Sequence, residues 1–182
     1  RLYKSADEIQ MMQRAADIAA EAHILAMKKV KPGMNEGQVE SLLEAYMRDQ
    51  GASGVAYNSI IGGGDNATIL HYVENNMPLK DGDLILIDAG AEYQGYASDI
   101  TRTFPVNGKF TKAQREVYDV VLDVQLQCIE YTKTGNTVNR TTNGRNEETW
   151  TPERQDQGSD QEAVVHEILY ARRRPLSRPG RP

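Results

Sequence analysis

The chain has 182 residues with 21 basic and 26 acidic side chains, a formal net charge of −5 and a single cysteine. That length suits one domain or part of a larger one, the acidic balance argues against a phosphate backbone as the main partner, and one cysteine excludes an internal disulfide, which fits a reducing cytoplasm. No run approaches the roughly 18 consecutive apolar residues of a membrane span, no signal peptide is visible, and Arg1 in place of an initiating Met reads as a missing upstream end.

Ser5-Ala-Asp-Glu8 has the spacing of a capping box, in which the serine hydroxyl and the glutamate carboxylate satisfy free amides at a helix start. A first helix is predicted from there to about Val30, with Ile9, Met12, Ala16, Ala19, Ala20, His23 and Met27 as its apolar stripe and Lys31-Pro32-Gly33 as its stop. His23 falls on that stripe and reads as a packed histidine, not a ligand. A second helix is expected after Asn35 as cap, ending at Gly51 and burying Val39, Leu42, Leu43, Tyr46 and Met47. Gly62-Gly-Gly64-Asp65-Asn66 reads as a turn, since it lacks the Lys-Ser/Thr of a phosphate-binding loop and no helical pattern follows it. Strands are predicted around Tyr57–Ile61, Ala67–Val73, Asp83–Ala89, Ala91–Ala97 and Ile100–Val106. Thr111-Lys-Ala-Gln then opens a third helix carrying Val117, Val120, Val121, Val124 and Cys128. Helices set apart from a mostly antiparallel sheet make this an α+β chain.

Two aspartates carry the most chemical content. Asp88 lies in Leu84-Ile-Leu-Ile-Asp88-Ala-Gly90, and Asp99 follows eleven residues later in Tyr96-Ala-Ser-Asp99-Ile-Thr-Arg-Thr-Phe104. An antiparallel hairpin of that length can set both carboxylates on one face. Carboxylates held that close repel unless a cation lies between them, and a divalent metal is the usual one. Two solvated, unrelated aspartates at strand ends are the alternative. Asp81 and Asp83 belong to the turn chemistry of Lys80-Asp-Gly-Asp83.

Around these aspartates, Tyr57-Asn-Ser-Ile-Ile-Gly62, Ile69-Leu-His71-Tyr72, Asp81-Gly-Asp83-Leu-Ile-Leu-Ile-Asp88-Ala-Gly90 and Gly95-Tyr-Ala-Ser-Asp99-Ile-Thr-Arg-Thr-Phe-Pro-Val-Asn-Gly-Lys-Phe110 follow in order with unforced spacing. They resemble the first half of a proline-specific aminopeptidase, and the likeness runs from about Leu2 to about Asn139. That family, the Xaa-Pro aminopeptidases or aminopeptidase P, belongs to the M24 "pita-bread" metallopeptidases. The resemblance implies the first half of a pita-bread domain over residues 1–139, with a mostly antiparallel curved sheet covered by helices. It implies a dinuclear divalent-metal site, usually manganese with cobalt or zinc as alternatives, held by two aspartates, a histidine and two glutamates. Asp88 and Asp99 match the two aspartates, and His71 matches a catalytic, non-ligand histidine that steadies the tetrahedral intermediate. The implied substrates are peptides with proline at the second position, with neither nucleic acid nor membrane as partner. Family members are often homo-oligomeric.

From Arg140 the likeness stops and the composition changes. Residues 140–182 contain eight arginines and no lysine, and four of the seven prolines fall there. A disordered Arg/Pro-rich extension is one reading and an anion-binding tail is another. A third is a shifted reading frame. With permitted codons, Glu167-Ile-Leu-Tyr-Ala-Arg172 to Pro182, re-read one nucleotide later, spells KYYMHGVGHYLGRDV, which resembles the family's histidine-rich HGxGHxLGxDVHD segment. The same shift, with permitted codons, turns Arg140-Thr-Thr into ELQ and Thr149-Trp-Thr-Pro into LGLL, the second as the family has between helices. An extra base near position 140 would make residues 140–182 an unrelated, out-of-frame and disordered tail. His166 and the tail glutamates sit in no matching motif, so no ligand role passes to them. The expected function is therefore a metal-dependent aminopeptidase cleaving ahead of proline, present as a truncated, inactive fragment. A prolidase or methionine aminopeptidase of the same fold, or a metal-free binding module, are the alternatives.

Overall fold

The computed structural model describes residues 3–134, which fall into one compact unit over residues 3–109 and the described part of a second from residue 110. In the first unit both expected caps form. Glu8 accepts from the Ser5 amide at 2.8 Å and Ser5 from the Glu8 amide, starting helix α1 (Ala6–Lys29). Asn35 and Gln38 make the same exchange at the start of α2 (Glu36–Asp49).

The buried stripe of α1 differs from the predicted one. Ala15, Ile18, Ala19, Ala22, His23 and Ala26 are inside, whereas Ile9 and Met27 are 56% and 43% exposed. An alanine face admits a closer approach than larger side chains would, and α1 lies against α2 and several strands at once.

The strands are β1 (Gly54–Val55), β2 (Ile60–Gly63), β3 (Leu84–Ala89), β4 (Ala91–Tyr93), β5 (Tyr96–Ala97) and β6 (Ile100–Pro105). They form two three-stranded sheets, β1-β4-β5 and β2-β3-β6, with every pairing antiparallel. In the second sheet β3 is central, and Asp88 stands opposite Ile60 of β2 and Thr101 of β6. Strand alternation sorts its side chains. Ile85, Ile87 and Ala89 join the main core with Ile18, Val39, Leu43, Met47 and Ile61, while Leu86 faces the other way with Ile60 and Tyr72. Each fully buried Ile, Leu or Met contributes roughly 1.5–3 kcal/mol of apolar burial. Asp88, two residues beyond Leu86, shares the second face.

Two strand predictions need correction. Ala67–Val73 is not a strand: a 3-10 turn covers Gly64–Thr68 and the chain then runs irregularly to Asp83. His71 and Asn75 adopt left-handed backbone at φ 58° and 45°, which a strand excludes. Ala91–Ala97 is not one strand but the hairpin β4–β5, turned by Gln94 and Gly95 at φ 49° and 83°. Positive φ at both central residues marks the turn whose twist suits a hairpin.

His23 is 2% exposed, with its Nδ1 2.8 Å from the Ala19 carbonyl oxygen. Burial, the largest influence, lowers its pKa below 6.5 despite that contact. The unfolded chain therefore binds this proton more readily than the folded one. Its contribution to stability is complete above pH 6.5 and is lost as pH falls through the folded value. Urea titrations of His23→Gln are expected to show a shallower loss of stability below pH 6.5 than the parent; an identical slope would show that His23 does not titrate on unfolding.

In the second unit Thr111 and Gln114 cap α3 (Lys112–Tyr131), with Val121 and Cys128 buried and Val120 exposed. The boundary placed between residues 139 and 140, and the tail beyond it, lie outside the described residues.

Candidate metal centre

Asp88 and Asp99 come together, though not as direct cross-strand partners. The register sets Thr101 opposite Asp88, and Asp99 lies one residue before β6. Asp99 is thus two residues from Thr101, on the same side of the pleat and diagonal to Asp88. Between them the chain leaves the sheet for the β4–β5 hairpin and returns at Ser98. That return is tight: the Ser98 amide donates to the Ala91 carbonyl at 2.9 Å, and the Ala91 amide donates to Ser98 Oγ at 2.9 Å. A Cβ on Gly90 would lie 2.0 Å from the Ser98 carbonyl oxygen and 3.0 Å from the Tyr57 ring. Only a residue without a side chain permits this approach.

Tyr57 organises the pair. Its hydroxyl lies 2.5 Å from Asp88 Oδ1 and 3.1 Å from Asp99 Oδ1, so one phenol sits between two carboxylates. Burial first, then the charges of Asp88 and Asp99, push its pKa far up, and Tyr57 stays protonated at any physiological pH. A phenol has one proton and cannot satisfy both acceptors fully. Burial also raises the Asp88 pKa, against the hydrogen bond from Tyr57. Asp88 is a desolvated carboxylate, and it shares the Tyr57 hydroxyl with the half-buried Asp99. The donors are hard oxygens on adjacent positions, which fits a divalent cation. Among the described residues no group of three or more His, Cys, Asp or Glu side chains that could hold a metal ion is present.

His71 is exposed and lies on the irregular segment after the 3-10 turn. Its neighbour Tyr72, 6% exposed, packs on Ile60 and Leu86, the face of β3 that carries Asp88. Two residues escaped the sequence reading. Tyr57 stood inside a matching segment without a role, because its partners lie 31 and 42 residues away. Glu36 looked like an ordinary acidic residue of a first helical turn, yet it is completely buried.

The profile of metallopeptidase family M24 matches residues 10–154. The chain belongs to metallopeptidase family M24. Within it, the chain is 56% identical over 123 residues to the Xaa-Pro aminopeptidase of Escherichia coli (strain K12), covering 68% of this chain and 28% of the relative. It is 51% identical over 138 residues to the Xaa-Pro aminopeptidase of Haemophilus influenzae, covering 76% and 32%. Among solved structures, proline aminopeptidase P II from Yersinia pestis superposes with a TM-score of 0.80 at 47% identity, over 92% of this chain and 39% of that one. A zinc-substituted Escherichia coli aminopeptidase P in complex with product gives 0.77 at 42% identity, over 92% and 39%. The fold is that of the aminopeptidase P pita-bread domain in part, and the chain spans about a third of the length of these relatives. The aminopeptidases P of this family use a divalent metal. Among the described residues no helix is long and apolar enough to cross a membrane.

Proposed function

We propose that this chain is part of the catalytic domain of a metal-dependent Xaa-Pro aminopeptidase, which hydrolyses the bond between an N-terminal residue and a following proline. The observation that carries this reading is the pair Asp88 and Asp99 sharing the Tyr57 hydroxyl on one sheet face. Asp88 and Asp99 would hold a dinuclear centre, with manganese as the proposed ion. Such a centre, when bound, supplies Lewis acidity toward the scissile carbonyl. Tyr57 keeps its proton and holds both carboxylates in place. His71 carries a ring N–H suited to hydrogen-bond the oxyanion that develops during attack. The working protein is a cytoplasmic homo-oligomer in this reading. A binding-only relative has no need of two carboxylates crowded onto one hydroxyl.

Two aspartates cannot by themselves hold two ions, so the chain as it stands is inactive. The histidine-rich motif in the shifted frame of residues 140–182 supplies the missing chemistry once the extra base is removed. Manganese at about one hundred times its Kd is expected to stabilise the 182-residue chain by about 2.7 kcal/mol without any cleavage of an Xaa-Pro peptide. Asp88→Asn should abolish that stabilisation. It should also leave the metal-free protein at least as stable as the parent, because burial disfavours the Asp88 carboxylate. The frame-corrected, full-length protein should cleave the peptide only with metal. Metal-dependent cleavage by the 182-residue chain would overturn its inactivity, and a silent full-length protein would overturn the aminopeptidase reading.

A further inference from the structure

We infer that Glu36 is a positioning residue for His71, holding both ends of the segment that carries it. The catalytic part of this role rests on the aminopeptidase reading above. A carboxylate in the first turn of a helix ordinarily faces water, yet Glu36 is 0% exposed. Four donors converge on its two oxygens. Oε1 accepts from the Gly63 amide at 2.9 Å and Asn66 Nδ2 at 3.0 Å, and Oε2 accepts from the Tyr72 hydroxyl at 2.8 Å and the Met77 amide at 3.0 Å. Burial, the largest single influence, acts to raise its pKa, but the bonds from Asn66, Gly63, Met77 and Tyr72 together outweigh it and hold the carboxyl below its ordinary range.

These donors bracket His71 in the chain. Gly63 and Asn66 precede it, and Tyr72 and Met77 follow it. Asn66 Nδ2 also lies 3.0 Å from the Tyr72 hydroxyl, which ties the two sides to one another. Asn75 adds a second anchor: its Oδ1 accepts from the Ile61 amide at 2.9 Å and its Nδ2 donates to the Ser59 carbonyl at 2.8 Å, in place of a strand partner for β2. Between the anchors the chain has no sheet pairing, and His71 sits in left-handed backbone, a conformation non-glycine residues avoid unless their surroundings impose it. Tyr72 is the imposing neighbour. Its hydroxyl is fixed by Glu36 while its ring packs on Ile60 and Leu86, on the face of β3 that carries Asp88. Glu36 thereby sets where His71 stands relative to the metal-binding face, without touching it.

The test is backbone and methyl NMR on the full chain. Glu36→Gln keeps the side-chain volume but turns one acceptor into a donor, so two of the four donors lose their partner. The order parameters of the His71 and Tyr72 amides are expected to fall from about 0.85 to below about 0.6, while the methyl signals of Ile18, Ile61, Ile85 and Ile87 keep their positions. A core that merely lost stability would move all of these together. Unchanged order at His71 with an intact core would overturn the inference. Should Glu36→Gln unfold the chain, Tyr72→Phe decides, since it removes one donor and leaves the ring packing. Loosening at His71 with a retained core supports the role, and an unmoved His71 overturns it. A manganese titration of the parent reads the aminopeptidase proposal separately: no paramagnetic broadening around Asp88 and Asp99 would sink that proposal and leave the result at His71 standing.

Discussion

Gly90→Ala is expected to destabilise the protein by about 3 kcal/mol or more, a fall in Tm of roughly 6–12 °C, and to weaken metal binding at the same time. The added methyl would sit 2.0 Å from the Ser98 carbonyl oxygen, which is backbone and cannot rotate aside, and 3.0 Å from the Tyr57 ring. Relief requires the end of β3 to separate from the strand returning through Ser98. Asp88 lies on one side of that crossing and Asp99 on the other, so the two carboxylates part and Tyr57 loses its place between them. Gly54→Ala is the control. Its methyl would meet nothing closer than Arg48 Nη2 at 3.7 Å, an ordinary contact. Thermal melts of both variants with and without manganese check the claim. A Gly90→Ala protein that melts with the parent and keeps its full manganese shift would refute it.

Glu36→Ala is the second large effect. It strips the acceptor from the Gly63 and Met77 amides, Asn66 Nδ2 and the Tyr72 hydroxyl, all turned toward one buried point. Buried donors left without partners cost about 1–3 kcal/mol each, so a total loss of at least about 3 kcal/mol is expected even after partial hydration. The pH dependence separates this residue from His23. Glu36 has its folded pKa held below the ordinary 4.5, so its contribution is present above pH 4.5 and is lost as pH falls through the folded value. The His23 contribution begins to fade already below pH 6.5. Urea denaturation across that range should show two successive declines in the parent. Glu36→Ala should lack the lower one, and survival of both declines in the variant would count against a buried, ionised Glu36.

What the sequence determined alone was local or periodic. The helix starts at Ser5, Asn35 and Thr111 are readable because capping is local, and each forms as a capping box joining residues three apart. The strands β3 and β6 announce themselves as β-rich runs, and the spacing of Asp88 in the first and Asp99 just before the second pointed to a paired-carboxylate site. The family likeness along the first 139 residues added the fold and the expectation of a metal. The expected strand at Ala67–Val73 failed because its apolar residues reflect where the segment lies, not how its backbone bonds: Ile69, Leu70 and Val73 are about half exposed, and only Tyr72 packs inward.

Tertiary structure alone decided the rest, since those features join residues far apart in the chain. No spacing rule connects Tyr57 to Asp88 and Asp99, or Glu36 to Tyr72, across 31 to 42 residues. The buried face of α1 was likewise chosen by fit, with alanines rather than Ile9 and Met27 turned inward. Desolvation completes the difference. The sequence supplied Asp88 and Glu36 as carboxylates with ordinary chemistry, and only burial pushed the Asp88 pKa up and made Glu36 an acceptor for four donors.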